Sequence, residues 1–377
     1  MPFLLGTLAG LLSLALLFEG GYIFWQWYVG ELVATSWLLA AFAMLLWSAF
    51  GRYAILAFYP RGSDEPHLVN HGPGQIIKGA DGSRLYVEVE GENEGGDKPV
   101  AILTHGWALD STAWYYIRKQ LAPHYRLVLW DLPGLGRSTA PPDGRYTVAR
   151  LAEDLGRVID KFAKEPVTLV GHSIGGMMIL TLCRLHPELL KERVKGIVFM
   201  DTTHVWPLKT VIGGGLLRVL RWPLIEPLLW LTVFLWPLVW LMNWQSYLNG
   251  SAHLINRLTA LSGDVTRGQL EFATRYNVKD NPSVVAKGLL AVLRWDESET
   301  PAGISVPTLV ITADADRITR PEAGIGMSKL MPESELVRIA PAGHNGLLEE
   351  GQQYSNAIAS LLKRAAPGLH SQPRPQG

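Results

Sequence analysis

Hydrophobic and polar positions follow three different rhythms along this chain. Residues 1–60 carry only Glu19, Glu31 and Arg52 as charged side chains, and Pro2 to Phe18 and Leu32 to Phe50 contain none. Each run approaches the ~20 apolar residues that cross a bilayer. A charge at the bilayer centre costs about 3 kcal/mol, so Glu19 and Glu31 are expected at the ends of the spans. The aromatic-rich stretch Gly20 to Tyr28 lies between them. The pattern predicts a transmembrane helical hairpin over 1–60. A cleaved signal peptide followed by a buried helix is the competing reading. It lacks a basic leading region and a small-residue cleavage site, and a second apolar run follows. Arg52 and Arg61 after the second run place its far end, and the domain that follows, on the cytoplasmic side.

The second rhythm begins near residue 75, after a linker at 61–74. Arg84 to Glu90 alternates like a strand. Pro99 to Thr104, Arg126 to Trp130, Val167 to Val170, Lys195 to Met200, Val306 to Thr312 and Glu335 to Ile339 are short apolar runs bounded by turn residues. Helix-length stretches separate them, which predicts an α/β domain with a mostly parallel sheet. The rhythm stops once, for roughly a hundred residues without a strand signal, as an inserted helical cap would make it. The expected organisation is therefore 1–60 membrane anchor, 61–74 linker, 75–203 first part of the core, 204–303 cap, 304–366 second part of the core, and 367–377 disordered tail.

The third rhythm belongs to the cap. Trp222 to Gly250 holds one charged residue, Glu226, and is interrupted by Pro223, Pro227 and Pro237. Proline inside a helix costs about 3 kcal/mol, so short helices are expected instead of one straight span. This stretch either packs on the core and walls the pocket, or dips into the membrane surface with its tryptophans at headgroup level. Both readings make the pocket mouth apolar and favour a substrate with an acyl chain. Thr266 to Asn277, with Arg267, Glu271 and Arg275, reads as a polar helix with a solvated charged face.

Composition narrows the function. The chain of 377 residues is 48% hydrophobic and 18% charged, against about 25% charged for an average soluble chain. Ten of its 14 tryptophans fall in 1–60 and in Trp206 to Trp244, which sets those two charge-poor segments apart from the rest. Lys+Arg and Asp+Glu both total 34. A zero net charge argues against nucleic-acid binding and against a long disordered chain. The single cysteine, Cys183, excludes an internal disulfide framework and a cysteine-rich metal cluster.

The sharpest chemical signal is Gly171-His172-Ser173-Ile174-Gly175, followed by Gly176, set between a strand and a helix. This is the G-x-S-x-G nucleophile elbow in its required context. Its turn must be tight enough to push the serine hydroxyl outward, so the residues two away must be small. A serine needs a base, and the base needs an orienting acid. The elbow type sets the chain order Ser, Asp, His. That order points to His344, after the last strand, and to Asp316, after the strand Val306 to Thr312. Asp201, which also ends a strand, is the alternative acid. The oxyanion donors are expected to be the N–H of Ile174, directly after the nucleophile, and the N–H of Trp107 in the loop His105-Gly106-Trp107. His105 lies upstream of the elbow and is expected to shape that loop.

These motifs, with Asp131-Leu132-Pro133-Gly134-Leu135-Gly136-Arg137-Ser138, resemble an α/β-hydrolase-fold serine hydrolase over about residues 75–203 and 304–365. The resemblance implies a cofactor-free Ser-His-Asp enzyme needing no metal. Serine at 173, where epoxide hydrolases and dehalogenases carry aspartate, implies carboxylic ester, amide or C–C bond cleavage. The hairpin makes the chain similar to membrane-anchored monoacylglycerol lipases and esterases, except that two apolar runs stand where one anchor would do. The expectation is a lipid-like ester substrate and membrane lipid as the other partner, with no nucleic acid. A perhydrolase or C–C hydrolase using the same triad is the alternative. A catalytically silent lipid-binding protein is the alternative from another class.

Overall fold

The computed structural model describes residues 2–66, 71–91 and 98–365. The strands are β1 (Gly74–Lys78), β2 (Arg84–Glu90), β3 (Val100–Thr104), β4 (Arg126–Trp130), β5 (Val167–His172), β6 (Val194–Met200), β7 (Thr308–Ala313) and β8 (Ser334–Ile339). They form one eight-stranded sheet in the order β1-β2-β4-β3-β5-β6-β7-β8. β1 and β2 pair antiparallel, as do β2 and β4. From β4 to β8 every pairing is parallel. β3, β5 and β7 are buried throughout. Central strands covered on both faces need apolar residues at nearly every position, which is why they read as near-continuous apolar runs. β1 escaped the sequence reading because it is an exposed edge strand with only two apolar residues, Ile76 and Ile77.

Helices cover both faces. Val148–Phe162 packs on one, burying Leu151, Leu155, Val158, Ile159 and Phe162 at helical spacing. Thr147 caps its start by accepting from the Arg150 N–H. The helix Ile174–Leu185 lies on the same side. Tyr115–Leu121 and Gly351–Arg364 pack on the other. Between β6 and β7 the chain forms the expected strand-free cap. Its main helices are Gly214–Leu220, Glu226–Phe234, Trp236–Asn249, Ser251–Thr259, Arg267–Lys279 and Pro282–Val292. The proline-interrupted segment breaks at Leu235, and the two halves meet at 98°. Pro227 and Pro237 stand in first turns, where a missing N–H is tolerated.

The N-terminal segment forms α1 (Pro2–Tyr28) and α2 (Thr35–Ala57), both long and apolar enough to cross a membrane. Glu19, expected at the end of the first span, does not end the helix. α1 runs through it and through the aromatic stretch to Tyr28. A 27-residue helix is about 40 Å long and outreaches a ~30 Å hydrocarbon core, so an exposed acid in its later turns does not stop it. Glu31 lies between the helices.

The hairpin is packed on the cap. A Cβ at Gly10 would stand 3.0 Å from Met242 Cβ, and one at Gly51 would stand 2.5 Å from the Asn249 carbonyl. Ser13 Oγ lies 3.0 Å from Ser251 Oγ, and Gln245 Nε2 donates to the Ser48 carbonyl at 2.9 Å. Small residues at these positions let apolar helices approach closely and bond through hydroxyls and amides.

Two further expectations are corrected. The stretch read as a linker at 61–74 is tied down where it is described. Asp64 accepts from Tyr115 and Lys119, Glu65 accepts from the Gly268 N–H, and β1 begins at Gly74. The charges on Arg267–Lys279 are not all solvated. Arg267 Nε donates to the Leu56 carbonyl at 2.9 Å, and Glu271 accepts from Tyr247 and His253. They join the cap to α2 and to itself. The expected tail at 367–377 lies outside the described residues.

Candidate active site

Ser173 sits between β5 and the helix Ile174–Leu185 with φ 53° and ψ −117°. A non-glycine residue there is strained by roughly 1–3 kcal/mol, and the surrounding packing must hold it. That packing requires glycine nearby. A Cβ at Gly171 would meet Gly175 at 2.5 Å, one at Gly175 would meet the Thr104 carbonyl at 2.3 Å, and one at Gly176 would meet Thr202 at 2.6 Å.

The turn points the hydroxyl at a histidine. Ser173 Oγ lies 3.0 Å from His344 Nε2, and His344 Nδ1 lies 2.8 Å from Asp316 Oδ2. Asp316 stands on the loop after β7 and His344 on the loop after β8. The structure thus brings together three residues spread over more than 170 positions. With Nδ1–H donated to Asp316, Nε2 is left to accept the serine proton. Burial opposes an imidazolium at His344, but the Asp316 carboxylate outweighs it and holds the His344 pKa above its ordinary value.

Asp316 is itself oriented. Its Oδ1 accepts from the N–H groups of Ile318 at 2.7 Å and Thr319 at 2.9 Å, and its Oδ2 lies 2.7 Å from the Thr319 hydroxyl. Asp201, the alternative acid, is not hydrogen-bonded to the histidine ring. Its carboxyl accepts from the Ala313 N–H and from the Tyr354 hydroxyl. Burial, with Asp316 nearby, pushes its pKa up to about 8. Its carbonyl lies 2.7 Å from the Thr319 hydroxyl, which stands between it and Asp316 Oδ2.

Trp107 and Ile174 both line the cavity that contains Ser173 and His344. Ile174 is the first residue of its helix, so its N–H has no intrahelical partner. Trp107 follows β3 and precedes Ala108, whose φ of 58° is again in the left-handed region. The Trp107 side chain is committed to the cap. Its ring N–H donates to the Val285 carbonyl at 2.9 Å, and only glycine at 288 leaves room for the ring. His105 shapes the loop, with Nε2 accepting the Leu132 N–H at 3.0 Å and Nδ1 at 2.8 Å from the Gly106 carbonyl.

Two residues of the site were missed from sequence. His172 Nε2 lies 2.9 Å from the His344 carbonyl and holds the backbone of the base. Burial, then the neighbouring His344, pushes the His172 pKa down to about 3, so it is neutral. Thr319 braces Asp316. Its only signal was a spacing of three from the acid, the reach of a local side-chain to backbone turn.

The cavity over the serine has a volume of about 450 Å³. Leu229, Met242 and Leu289 of the cap wall it, together with Phe3 and Leu4 of α1. A second hollow of about 500 Å³, at Thr147, Arg184 and Trp230, touches none of the Ser173, His344 and Asp316 set. Away from the serine, His71, Asp110 and Asp131 offer three ligand atoms within 4.8 Å of one another. A lysine ammonium already serves that cluster: Lys279 Nζ pairs with Asp110, and Asp131 accepts from the Ser111 and Arg137 N–H groups.

The profile of the alpha/beta hydrolase fold family matches residues 99–351. A pimeloyl-[acyl-carrier protein] methyl ester esterase of Xanthomonas axonopodis pv. citri is 29% identical over 284 residues, covering 71% of this chain and 96% of that protein. The enzyme of the same name from Yersinia pseudotuberculosis is 26% identical over 269 residues, covering 70% of this chain and 92% of its own length. Among solved structures, an esterase from Thermogutta terrifontis superposes with a TM-score of 0.62 at 22% identity, covering 78% of this chain and 99% of its own. A bromoperoxidase from Bacillus anthracis gives 0.62 at 19%, covering 77% and 100%. These two likenesses establish the fold.

Proposed function

The chain belongs to the alpha/beta hydrolase fold family, and from that premise we propose that it is a membrane-anchored serine hydrolase of lipid-like carboxylic esters, such as monoacylglycerols. The observation that carries the proposal is the Ser173–His344–Asp316 hydrogen-bonded chain opening on a cavity walled by apolar cap residues and α1. Ser173 Oγ attacks the acyl carbonyl while His344 Nε2 takes its proton. The tetrahedral oxyanion is held by the N–H groups of Ile174 and Trp107, a contribution worth about 3 kcal/mol per donor. His344 then protonates the leaving alcohol. Water, deprotonated by His344, releases the acid from the acyl-enzyme. Asp316 holds the tautomer and stabilises the imidazolium.

The two pimeloyl-[acyl-carrier protein] methyl ester esterases are named for a methyl ester of an acyl chain carried on a protein, which supports ester chemistry at an acyl group. The surface supports a membrane setting. Trp222 is 66% exposed and Phe234 is 74% exposed on the cap, beside two helices of spanning length. Exposed aromatics in an apolar patch fit the headgroup boundary. Arg52 and Arg61 favour a cytoplasm-facing catalytic domain.

The test exposes membranes containing the full chain to a fluorophosphonate probe and measures p-nitrophenyl ester hydrolysis from two to sixteen carbons. Labelling at Ser173 with a maximum at medium or long chains is expected. Ser173→Ala should lower kcat by roughly 10⁶-fold in a folded protein. A maximum at acetate would move the assignment to a small-ester hydrolase or perhydrolase. Folded protein that neither labels nor hydrolyses would be a silent lipid-binding protein.

A further inference from the structure

The N-terminal helix has a place in the site that an anchor alone does not explain. Phe3, Leu4, Gly6, Thr7 and Ala9 line the same cavity as Ser173 and His344. They fall in the first turns of α1, a stretch of about 9 Å along the axis. Phe3 and Leu4 pack on the cap cluster that includes Leu217, Ile225 and Leu229. Directly below, the helix is locked in place. Gly10 abuts Met242, and Ser13 Oγ meets Ser251 Oγ at 3.0 Å. The wall is therefore a fixed surface of the pocket.

Resting on the ester-hydrolase reading, we propose that the first turns of α1 are the acyl-binding wall of the catalytic cavity, so that the membrane helix itself sets acyl-chain selectivity. The chemistry of the wall fits an alkyl chain. Its contributed side chains are apolar apart from Thr7, and the Thr7 hydroxyl donates to the Phe3 carbonyl of its own helix. That leaves no free polar donor of Thr7 facing the chain. Gly6 is the informative position. A Cβ there meets nothing within 4 Å, so a larger side chain enters open space and takes volume from the substrate. An acyl chain lying against α1 is also an acyl chain at the height of the bilayer, and a lipid substrate need not leave the membrane completely to reach Ser173.

The experiment measures kcat/KM of the full chain in nanodiscs against p-nitrophenyl esters from butanoate to hexadecanoate. Gly6→Leu should lower the ratio of dodecanoate to butanoate hydrolysis by ten-fold or more. Leu4→Ala enlarges the same wall and should move the ratio the other way, toward longer chains. Gly21→Leu, where a Cβ also meets open space on the same helix but outside the cavity, should keep the wild-type profile. If Gly6→Leu and Leu4→Ala both superpose on a wild type that labels at Ser173, the wall assignment is overturned and the ester-hydrolase reading stands. A wild-type chain that neither labels nor cleaves any ester overturns both.

Discussion

Asp316 collects hydrogen bonds from the Ile318 and Thr319 N–H groups, the Thr319 hydroxyl and His344 Nδ1. A carboxylate held this way cannot rotate away from the imidazole. Thr319→Val keeps the shape and removes the hydroxyl donor, leaving a buried acceptor short by one bond. The loss is about 1–3 kcal/mol, and kcat should fall roughly ten-fold or more while ester KM stays close to the wild-type value. The pH profile tests the charge itself. His344 acts as a base only when neutral, and Asp316 holds its pKa above the ordinary 6.5. The acid limb of kcat/KM should therefore lie above pH 6.5, with activity lost as pH falls through it. Asp316→Asn removes the stabilising charge and leaves burial, which favours the neutral ring. The limb should move to lower pH, and kcat should fall by about 10⁴-fold because the tautomer is no longer held. His172 makes a separate, stability-level prediction. It is neutral when folded, with a pKa of about 3, and takes up a proton on unfolding below pH 6.5. Its contribution is present above pH 6.5 and is lost as pH falls toward 3, at up to about 1.4 kcal/mol per pH unit. Chemical denaturation at several pH values would show this decline.

Among the elements, the contact between α2 and the cap is sensitive to side-chain size. A Cβ at Gly51 would stand 2.5 Å from the Asn249 carbonyl and 2.9 Å from the Trp47 ring. Backbone cannot swing aside as a side chain can. Gly51→Leu should destabilise the full chain by about 1–3 kcal/mol through overpacking. A lower Tm in detergent is the expected result, with Gly21→Leu close to wild type. The strand rhythm was legible because parallel strands buried on both faces must be apolar at nearly every position; β4 carries the predicted bounds. β1 was not legible, since an exposed edge strand needs no apolar run. The extent of α1 was not legible for a different reason. A charge marks the edge of a hydrocarbon core, but it does not end a helix, and the aromatic residues after Glu19 continue the same hydrogen-bonded ladder.

At the scale of the whole molecule, the N-terminal hairpin and the cap share one packed surface. Gln245 on the cap helix Trp236–Asn249 donates to the Ser48 carbonyl, and Arg267 on the helix Arg267–Lys279 donates to the Leu56 carbonyl. A hairpin used only as a tether would not need bonds of this kind. Alkaline carbonate should leave the full chain in the membrane pellet, as expected for a protein held by spanning apolar helices. Recovery in the supernatant would place the hairpin on the protein rather than in the bilayer. Removing residues 1–60 strips one wall from the cavity as well as the proposed anchor. The shortened chain should accordingly lose long-chain ester hydrolysis more than butanoate hydrolysis, even in detergent.

Periodicity and motif spacing were enough, read along the chain, to point to the parallel α/β core, the inserted helical cap, two apolar runs, and Ser173 and His344 as candidates, with Asp316 or Asp201 as the acid. Those features repeat or sit at strand ends, so local pattern and chain order encode them. Tertiary structure alone decided that Asp201 braces the acid loop instead of orienting the base, that Thr319 and His172 hold the acid and the base in place, and that α1 walls the cavity. Each of these depends on which distant segments meet. A carboxylate on one strand end looks like a carboxylate on the next until the packing directs one toward imidazole and the other toward Ala313 and Tyr354.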